Sequence, residues 1–107
     1  MSEIRVEAGQ LLRLATDIFS SCGMGTADAA LLADSLVYAD LGGIHSHGVL
    51  RVPEYVDKLT AKGVDPQGVP QVVRRLGGCL VVDGGNSMGQ IGAHFAMTQA
   101  LEAAQEH

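Results

Sequence analysis

The sequence is poor in aromatic and basic residues. Its 107 residues include two Phe, two Tyr and no Trp, and seven Lys and Arg stand against twelve Asp and Glu, which gives a formal net charge of −5. A nucleic-acid-binding protein needs a basic surface and aromatic rings on which bases can stack. We therefore expect no nucleic-acid partner.

Long hydrophobic runs and an export signal are also missing. No apolar run approaches the ~20 residues that span a bilayer, and the first residues, MSEIR, lack the charged and then apolar pattern of a signal peptide. The two cysteines, Cys22 and Cys79, are therefore expected to be reduced thiols that serve as small core residues. These absences predict a cytoplasmic protein with no membrane partner.

What the sequence does contain is helical periodicity. At 11.1 kDa the chain suffices for one domain, or a piece of one, with a modest core. Apolar spacing predicts a helical hairpin over residues 6–41, with Gly23 and Gly25 between its helices and Thr26 as the cap of the second. The apolar stripe of the second helix consists of Ala29, Leu32, Ala33, Leu36 and Val37.

The second half of the chain mixes strands and a helix. Two β-prone runs around Gly77-Gly78 predict a β-hairpin over residues 71–83. A C-terminal helix is predicted over residues 89–107 without a stop signal at its end. Its apolar stripe is predicted to be Ala93, Ala96, Met97, Ala100, Leu101 and Ala104.

The candidate catalytic and substrate-binding side chains lie in the segment at residues 44–62. His47, Arg51 and Tyr55 recur every four residues, and residues at this spacing share one face of a helix. A proline inside a helix removes a hydrogen bond. We therefore predict a first turn from Ser46 that leads into a helix starting near Pro53.

These residue types fit one site. A histidine transfers protons near neutral pH, and an arginine holds a carboxylate with two hydrogen bonds. The hydroxyls of Ser46 and Tyr55 can orient a carbonyl or hydroxyl oxygen. The set predicts a site for a small 2-oxo or 2-hydroxy acid, with Arg51 on the carboxylate and His47 moving the proton. The alternative is a capping turn followed by solvated surface residues.

Two further patterns are weaker. His45 and His47 suggest a small metal-binding domain, but no third His, Cys or carboxylate follows at ligand spacing, so we predict no metal site. The glycine-rich segment 83–89 precedes a helix as a phosphate-binding loop does, but it lacks the lysine of a P-loop and the full dinucleotide fingerprint.

The stretch ADLGGIHSHGVLRVPEYV, residues 39–56, resembles the hallmark of the type-2 malate/L-lactate dehydrogenase family. That family includes ureidoglycolate, sulfolactate and diketogulonate enzymes and a cyclic imino-acid reductase. The resemblance extends over essentially the whole chain and includes Val82-Asp83-Gly84 and Gly89 ahead of an Ala-rich helix. It implies an α/β fold that is not a Rossmann domain, of which this chain is the N-terminal part, mostly helical with a short β-hairpin.

The resemblance also implies an activity. The family transfers a hydride between NADH or NADPH and a 2-oxo acid or a related substrate. The histidine that matches His47 is the proton donor and acceptor, the arginine that matches Arg51 binds the carboxylate, and the serine that matches Ser46 lies in the same pocket. Tyr55 is expected to bind substrate as well. Family members are typically dimers or higher oligomers, so we expect a homodimer or higher.

The chain departs from the family pattern mainly in length. It covers only the first third of a member and stops before the segments that supply most cofactor contacts, so no cofactor-binding residue is assigned and the chain alone is expected to be inactive. Gly42 and His45 stand where many members carry Arg and Asp. The alternative function is a non-catalytic truncated helical module that self-associates or pairs with another subunit.

Overall fold

The fold is mostly helical, with one small sheet. The computed structural model describes residues 4–107. The elements in this range are, in chain order, α1 (Ala8–Ser21), α2 (Thr26–Leu41), α3 (Val52–Thr60), β1 (Gln71–Leu76), β2 (Cys79–Asp83) and α4 (Gly89–Glu106). Two 3-10 turns, His45–His47 and Val49–Arg51, connect α2 to α3. No helix in the described range is long and apolar enough to cross a membrane.

The first two helices pack together as the predicted helical hairpin. Gly23, between them, has a φ of 101°, a conformation that favours glycine. The prediction that Thr26 caps α2 is wrong. Gly25 is extended and its carbonyl accepts the Ala29 N–H at 2.9 Å, so Gly25 occupies the cap position and Thr26 is the first helical residue.

The core lies between α1, α2, α3 and the start of α4. Its largest fully buried side chains are Phe19, Leu32, Leu36 and Leu59. All five residues of the stripe predicted for α2 are buried, so that prediction is confirmed. Full burial of a side chain of this size contributes about 1.5–3 kcal/mol. This core therefore holds the end of α2 and α3, between which the two 3-10 turns run.

The β-hairpin is antiparallel and largely solvated. Gly77, with a φ of 58°, opens the turn between the strands, and the register shifts between Val72 and Arg74. Alternate residues of β2 point to opposite faces, which leaves Cys79 exposed and Leu80 half-buried. The prediction that both cysteines are core residues is therefore wrong for Cys79. Cys22 is half-buried, and both thiols are free.

The longest helix, α4, buries a different face from the predicted one. Ile91 and Ala103 are its buried residues, whereas Met97 is 61% exposed. Of the predicted stripe only Ala96 is even half-buried. Because alanines lie on several faces of this helix, hydrophobic spacing does not single out one of them. The exposed members of the stripe, here called the α4 outer face, are Ala93, Met97, Ala100, Leu101 and Ala104.

The glycine-rich segment before α4 has a packing role. The Asp65 N–H donates to the Asn86 carbonyl at 2.7 Å, which joins this loop to the one after α3. Gly85 has a φ of 64°, and a Cβ there would lie 2.5 Å from the Val69 carbonyl oxygen. Gly85 is therefore explained by a tight turn and a close backbone approach.

Candidate active site

The two 3-10 turns carry the candidate site from α2 to α3. Gly43, with a φ of 79°, redirects the chain after α2 ends. Pro53 lies in the first turn of α3, where its missing N–H removes no helical hydrogen bond. The predicted break before Pro53 is therefore confirmed, and His47 and Arg51 lie on separate turns rather than on one continuous helix.

Asp40, in the last turn of α2, connects these turns to the helix by hydrogen bonds. One carboxylate oxygen accepts the Val49 N–H at 2.9 Å and the other lies 2.7 Å from His45 Nδ1. Since a carboxylate only accepts, His45 Nδ1 carries the proton. A Cβ on Gly48 would overlap the Asp40 carboxylate, so only glycine allows this approach.

The surroundings of Asp40 favour its ionised form. Partial burial raises the pKa of Asp40, but the hydrogen bonds from Val49 and His45 outweigh that effect and hold the pKa below its ordinary value of 3.8. The stability that ionised Asp40 contributes is therefore fully present above the ordinary pKa and is lost as the pH falls through the lowered pKa. The hydrogen bonds that Asp40 accepts from His45 and Val49 are therefore kept at neutral and mildly acidic pH.

Three of the predicted site residues are brought together by these turns. The Ser46 hydroxyl lies 2.9 Å from His47 Nδ1, and Arg51 Nε donates to the Ser46 carbonyl at 2.8 Å. Ser46 and His47 are exposed and Arg51 is half-buried. The cluster is therefore a connected surface site that a small acid can reach from solvent.

Arg51 belongs to a short row of charges along α3. Its Nη1 donates to Glu54 at 2.8 Å, and Lys58 Nζ lies 3.4 Å from the other oxygen of Glu54. The hydrogen bond from Arg51 is the main cause that holds the pKa of Glu54 below its ordinary value, and the same bond raises the pKa of Arg51. The i,i+3 and i,i+4 spacings predict these pairs, but the sequence reasoning assigned Glu54 no role.

Tyr55 lies one turn further along and faces inward. It is half-buried, its ring centroid is 6.5 Å from that of Phe19, and its hydroxyl accepts a hydrogen bond from Gln90 Nε2 of α4 at 3.2 Å. The structure thus separates Tyr55 from the Ser46–His47–Arg51 cluster and ties it to the core. Substrate binding by Tyr55 remains a prediction.

Asp40 and Gln90 are the residues that sequence reasoning missed. An acidic side chain in the last turn of a helix is opposed by the helix dipole, and this local disadvantage is the signal that marks Asp40. Gln90 carried no such signal, because its contact with Tyr55 spans 35 positions of the sequence. Its role follows only from the tertiary structure.

The paired histidines are turned to different neighbours. His45 Nδ1 contacts Asp40 and His47 Nδ1 contacts Ser46. Within the described part of the chain, no group of three or more His, Cys, Asp or Glu side chains is arranged to hold a metal ion.

Comparison with known proteins places this chain in a family. The sequence model described as malate/L-lactate dehydrogenase matches residues 6–107. The chain belongs to the malate/L-lactate dehydrogenase family. The predicted family is thereby confirmed, and the chain is part of a family of oxidoreductases.

The curated relatives are dehydrogenases and are much longer than this chain. Malate dehydrogenase from Pyrococcus horikoshii is 33% identical over 103 residues, which are 96% of this chain and 29% of that protein. Hydroxycarboxylate dehydrogenase B from Escherichia coli K12 is 31% identical over 103 residues, 96% of this chain and 28% of that one. The chain therefore spans less than a third of the length of these relatives.

Solved structures share the fold. The structure of the P. horikoshii malate dehydrogenase superposes with a TM-score of 0.93 at 33% identity, covering 96% of this chain and 30% of that one. Sulfolactate dehydrogenase from Methanocaldococcus jannaschii superposes with a TM-score of 0.91 at 29% identity, covering 95% and 30%. The expected fold, part of a malate/L-lactate dehydrogenase-like α/β structure, is confirmed.

Proposed function

We propose that this chain supplies the acid-binding and proton-transfer half of the active site of an NAD(P)-dependent 2-hydroxy acid dehydrogenase. The observation that carries the proposal is the hydrogen-bonded cluster of Ser46, His47 and Arg51 in a chain of this family. The substrate is a small 2-oxo or 2-hydroxy acid. The cytoplasmic location and the homodimeric or higher assembly expected from the sequence stay predictions.

The chemistry divides between two side chains. Arg51 directs Nε and Nη1 to Ser46 and Glu54, and a guanidinium has further N–H donors with which to hold the substrate carboxylate. With Nδ1–H donating to the Ser46 hydroxyl oxygen, Nε2 of His47 is left to face the substrate. The protonated ring gives its Nε2 proton to the carbonyl oxygen during reduction and becomes neutral, and the neutral ring takes the proton back at Nε2 during oxidation.

The hydride comes from outside the described residues. A reduced nicotinamide supplies a hydride to the carbonyl carbon when it is bound. The glycine-rich loop before α4 is closed by the backbone of Val69 against Gly85. We therefore assign no cofactor-binding residue in this chain, and neither NAD nor NADP is favoured.

Cofactor titration tests this division. We expect the purified 107-residue chain to bind neither NADH nor NADPH with micromolar affinity and to show no turnover alone, because the chain spans less than a third of its relatives. The measurement is nicotinamide fluorescence during titration of the chain. Micromolar binding of either nucleotide would contradict the division and would place a cofactor site within these residues.

Arg51→Lys tests the carboxylate clamp. Turnover is measured with this chain exchanged for the matching segment of the P. horikoshii malate dehydrogenase, once the unsubstituted exchange is shown to be active. We expect KM for 2-oxo acids to rise about tenfold with a smaller change in kcat, because lysine cannot form the two-pronged contact. Arg74→Lys, on the exposed face of β1, is the control. An unchanged KM would count against the clamp.

A second candidate function is a non-catalytic helical module that self-associates or pairs with another subunit. It is favoured by the exposed α4 outer face and by an elongated shape. The radius of gyration is 15.7 Å, against about 13 Å expected for a compact domain of this length. An uncovered apolar surface of this kind is typical of an interaction site.

Met97→Glu tests the pairing module. If the α4 outer face mediates association, we expect the wild-type chain to form dimers in sedimentation equilibrium and Met97→Glu to weaken dimerisation by more than tenfold, because a charge would be buried in the interface. Leu14→Glu, which changes an equally exposed residue of α1, is the control. A monomeric wild-type chain, or equal effects of both substitutions, would contradict this candidate.

A further inference from the structure

We propose that Asp40 is a positioning residue that holds the turn bearing Ser46 and His47 in the geometry needed for acid binding and proton transfer. The inference rests on the proposed function. Asp40 contacts neither the proposed substrate-binding groups nor the proton path directly. Through Asp40, α2 holds the turn that carries Ser46 and His47.

The two hydrogen bonds of Asp40 lie on either side of His47. His45 precedes it by two positions and Val49 follows it by two, and both are bound by the same carboxylate at 2.7 and 2.9 Å. A segment held at both ends by one rigid group has few conformations left. His47 is exposed, and among the described residues its ring hydrogen-bonds only to the neighbouring Ser46, so its position depends on these flanking hydrogen bonds.

The carboxylate is itself fixed in place. The Asp40 side chain is 18% exposed and projects from the last turn of α2. Gly48, which is buried, leaves the space that the carboxylate fills. A site held by groups on a rigid element is more precise than one held by a loop alone.

The positions of Asp40 and Gly48 are locally unfavourable. A negative charge at the C-terminal end of a helix is unfavourable, and glycine at position 48 raises the entropy of the unfolded chain. Neither Asp40 nor Gly48 stabilises α2. Both hold residues 45–49, the segment that carries the proton-transfer histidine, in their conformation.

The test uses NMR of the 107-residue chain. Asp40→Ala, Asp40→Asn and the control Asp34→Ala, at an exposed position of the same helix, are compared with the wild type. We measure amide exchange at Val49, the ¹⁵N shifts of the His47 ring and the Kd for oxamate, a small 2-oxo acid analogue.

We expect Asp40→Ala to speed Val49 amide exchange at least tenfold, to shift the His47 ring nitrogens and to weaken oxamate binding. Asp40→Asn keeps one acceptor oxygen in nearly the same position, so each of these changes should be smaller than in Asp40→Ala. Asp34→Ala should leave all three measurements unchanged. If Asp40→Ala fails to fold, the near-isosteric Asp40→Asn decides. Unchanged Val49 exchange and His47 ring shifts in folded Asp40 variants would overturn the inference.

The same data separate the inference from the proposed function. Absence of oxamate binding to the wild-type chain would count against the proposed acid site, whereas the exchange and ring-nitrogen measurements need no ligand. Altered stability alone, with His47 shifts as in the wild type, would show that Asp40 only supports the fold and would also overturn the positioning role.

Discussion

Alanine in place of His47 is expected to lower kcat for reduction of a 2-oxo acid by about 10²–10⁴-fold, the usual contribution of general acid–base catalysis. The carbonyl oxygen would then take its proton from water. The affinity for NADH or NADPH should stay nearly unchanged, because His47 contacts Ser46 in the acid-binding cluster and no cofactor contact is assigned to it.

The measurement again uses this chain exchanged into the P. horikoshii malate dehydrogenase, with which it is 33% identical over 103 residues. His94→Ala is the matched control, because His94 is exposed on α4 and outside the cluster. Wild-type kcat in His47→Ala, or a main effect on cofactor binding rather than on kcat, would contradict the role assigned to His47.

Phe19→Ala is expected to be the most destabilising single change in the core. The ring of Phe19 has no exposed surface and lies against Tyr55 at a centroid distance of 6.5 Å. Removing a buried phenylalanine ring costs about 3–5 kcal/mol, against a total free energy of unfolding of about 5–15 kcal/mol for a domain. Because Tyr55 loses its partner, α3 and the attached site should loosen as well.

Urea unfolding followed by circular dichroism measures this loss. Leu14→Ala provides the control on the same helix, because Leu14 is 58% exposed and such changes usually stay within about 0.5 kcal/mol. A loss of less than about 1 kcal/mol for Phe19→Ala would show that the helices do not share the tight core described above.

Local signals explain the parts of the fold that sequence predicts. The α2 stripe repeats at i, i+3, i+4, i+7 and i+8, and only one face of that helix combines these positions. Pro53 sets the start of α3 through its own backbone restriction. The Gly77-Gly78 pair fixes the hairpin turn. Each of these features depends on residues that are close together in the chain.

The mispredicted features depend on distant partners. The buried face of α4 is decided by the elements against which it packs, and its many alanines leave the sequence pattern ambiguous. Cys79 is exposed because it occupies the outward register of β2. The contact between Tyr55 and Gln90 joins residues 35 positions apart, and no periodicity reports such a pairing.

The candidate site divides in the same way. Spacing and chemistry predict the grouping of Ser46, His47 and Arg51, which the two 3-10 turns bring about. They do not reveal the part played by Asp40, which acts from α2 across nine positions to Val49. The grouped side chains of the candidate site can thus be predicted from the sequence, whereas the hydrogen bonds that hold them in place are found only in the structure.

The central claim, that Arg51 and His47 form an acid-binding site in this chain, is tested most directly by titrating the ¹⁵N-labelled chain with oxamate. We predict saturable shifts confined to Ser46, His47, Arg51 and their neighbours, with weaker binding in Arg51→Lys because the bidentate contact is lost. Shifts elsewhere in the chain, no shifts at these residues, or equal binding by Arg51→Lys would contradict the account.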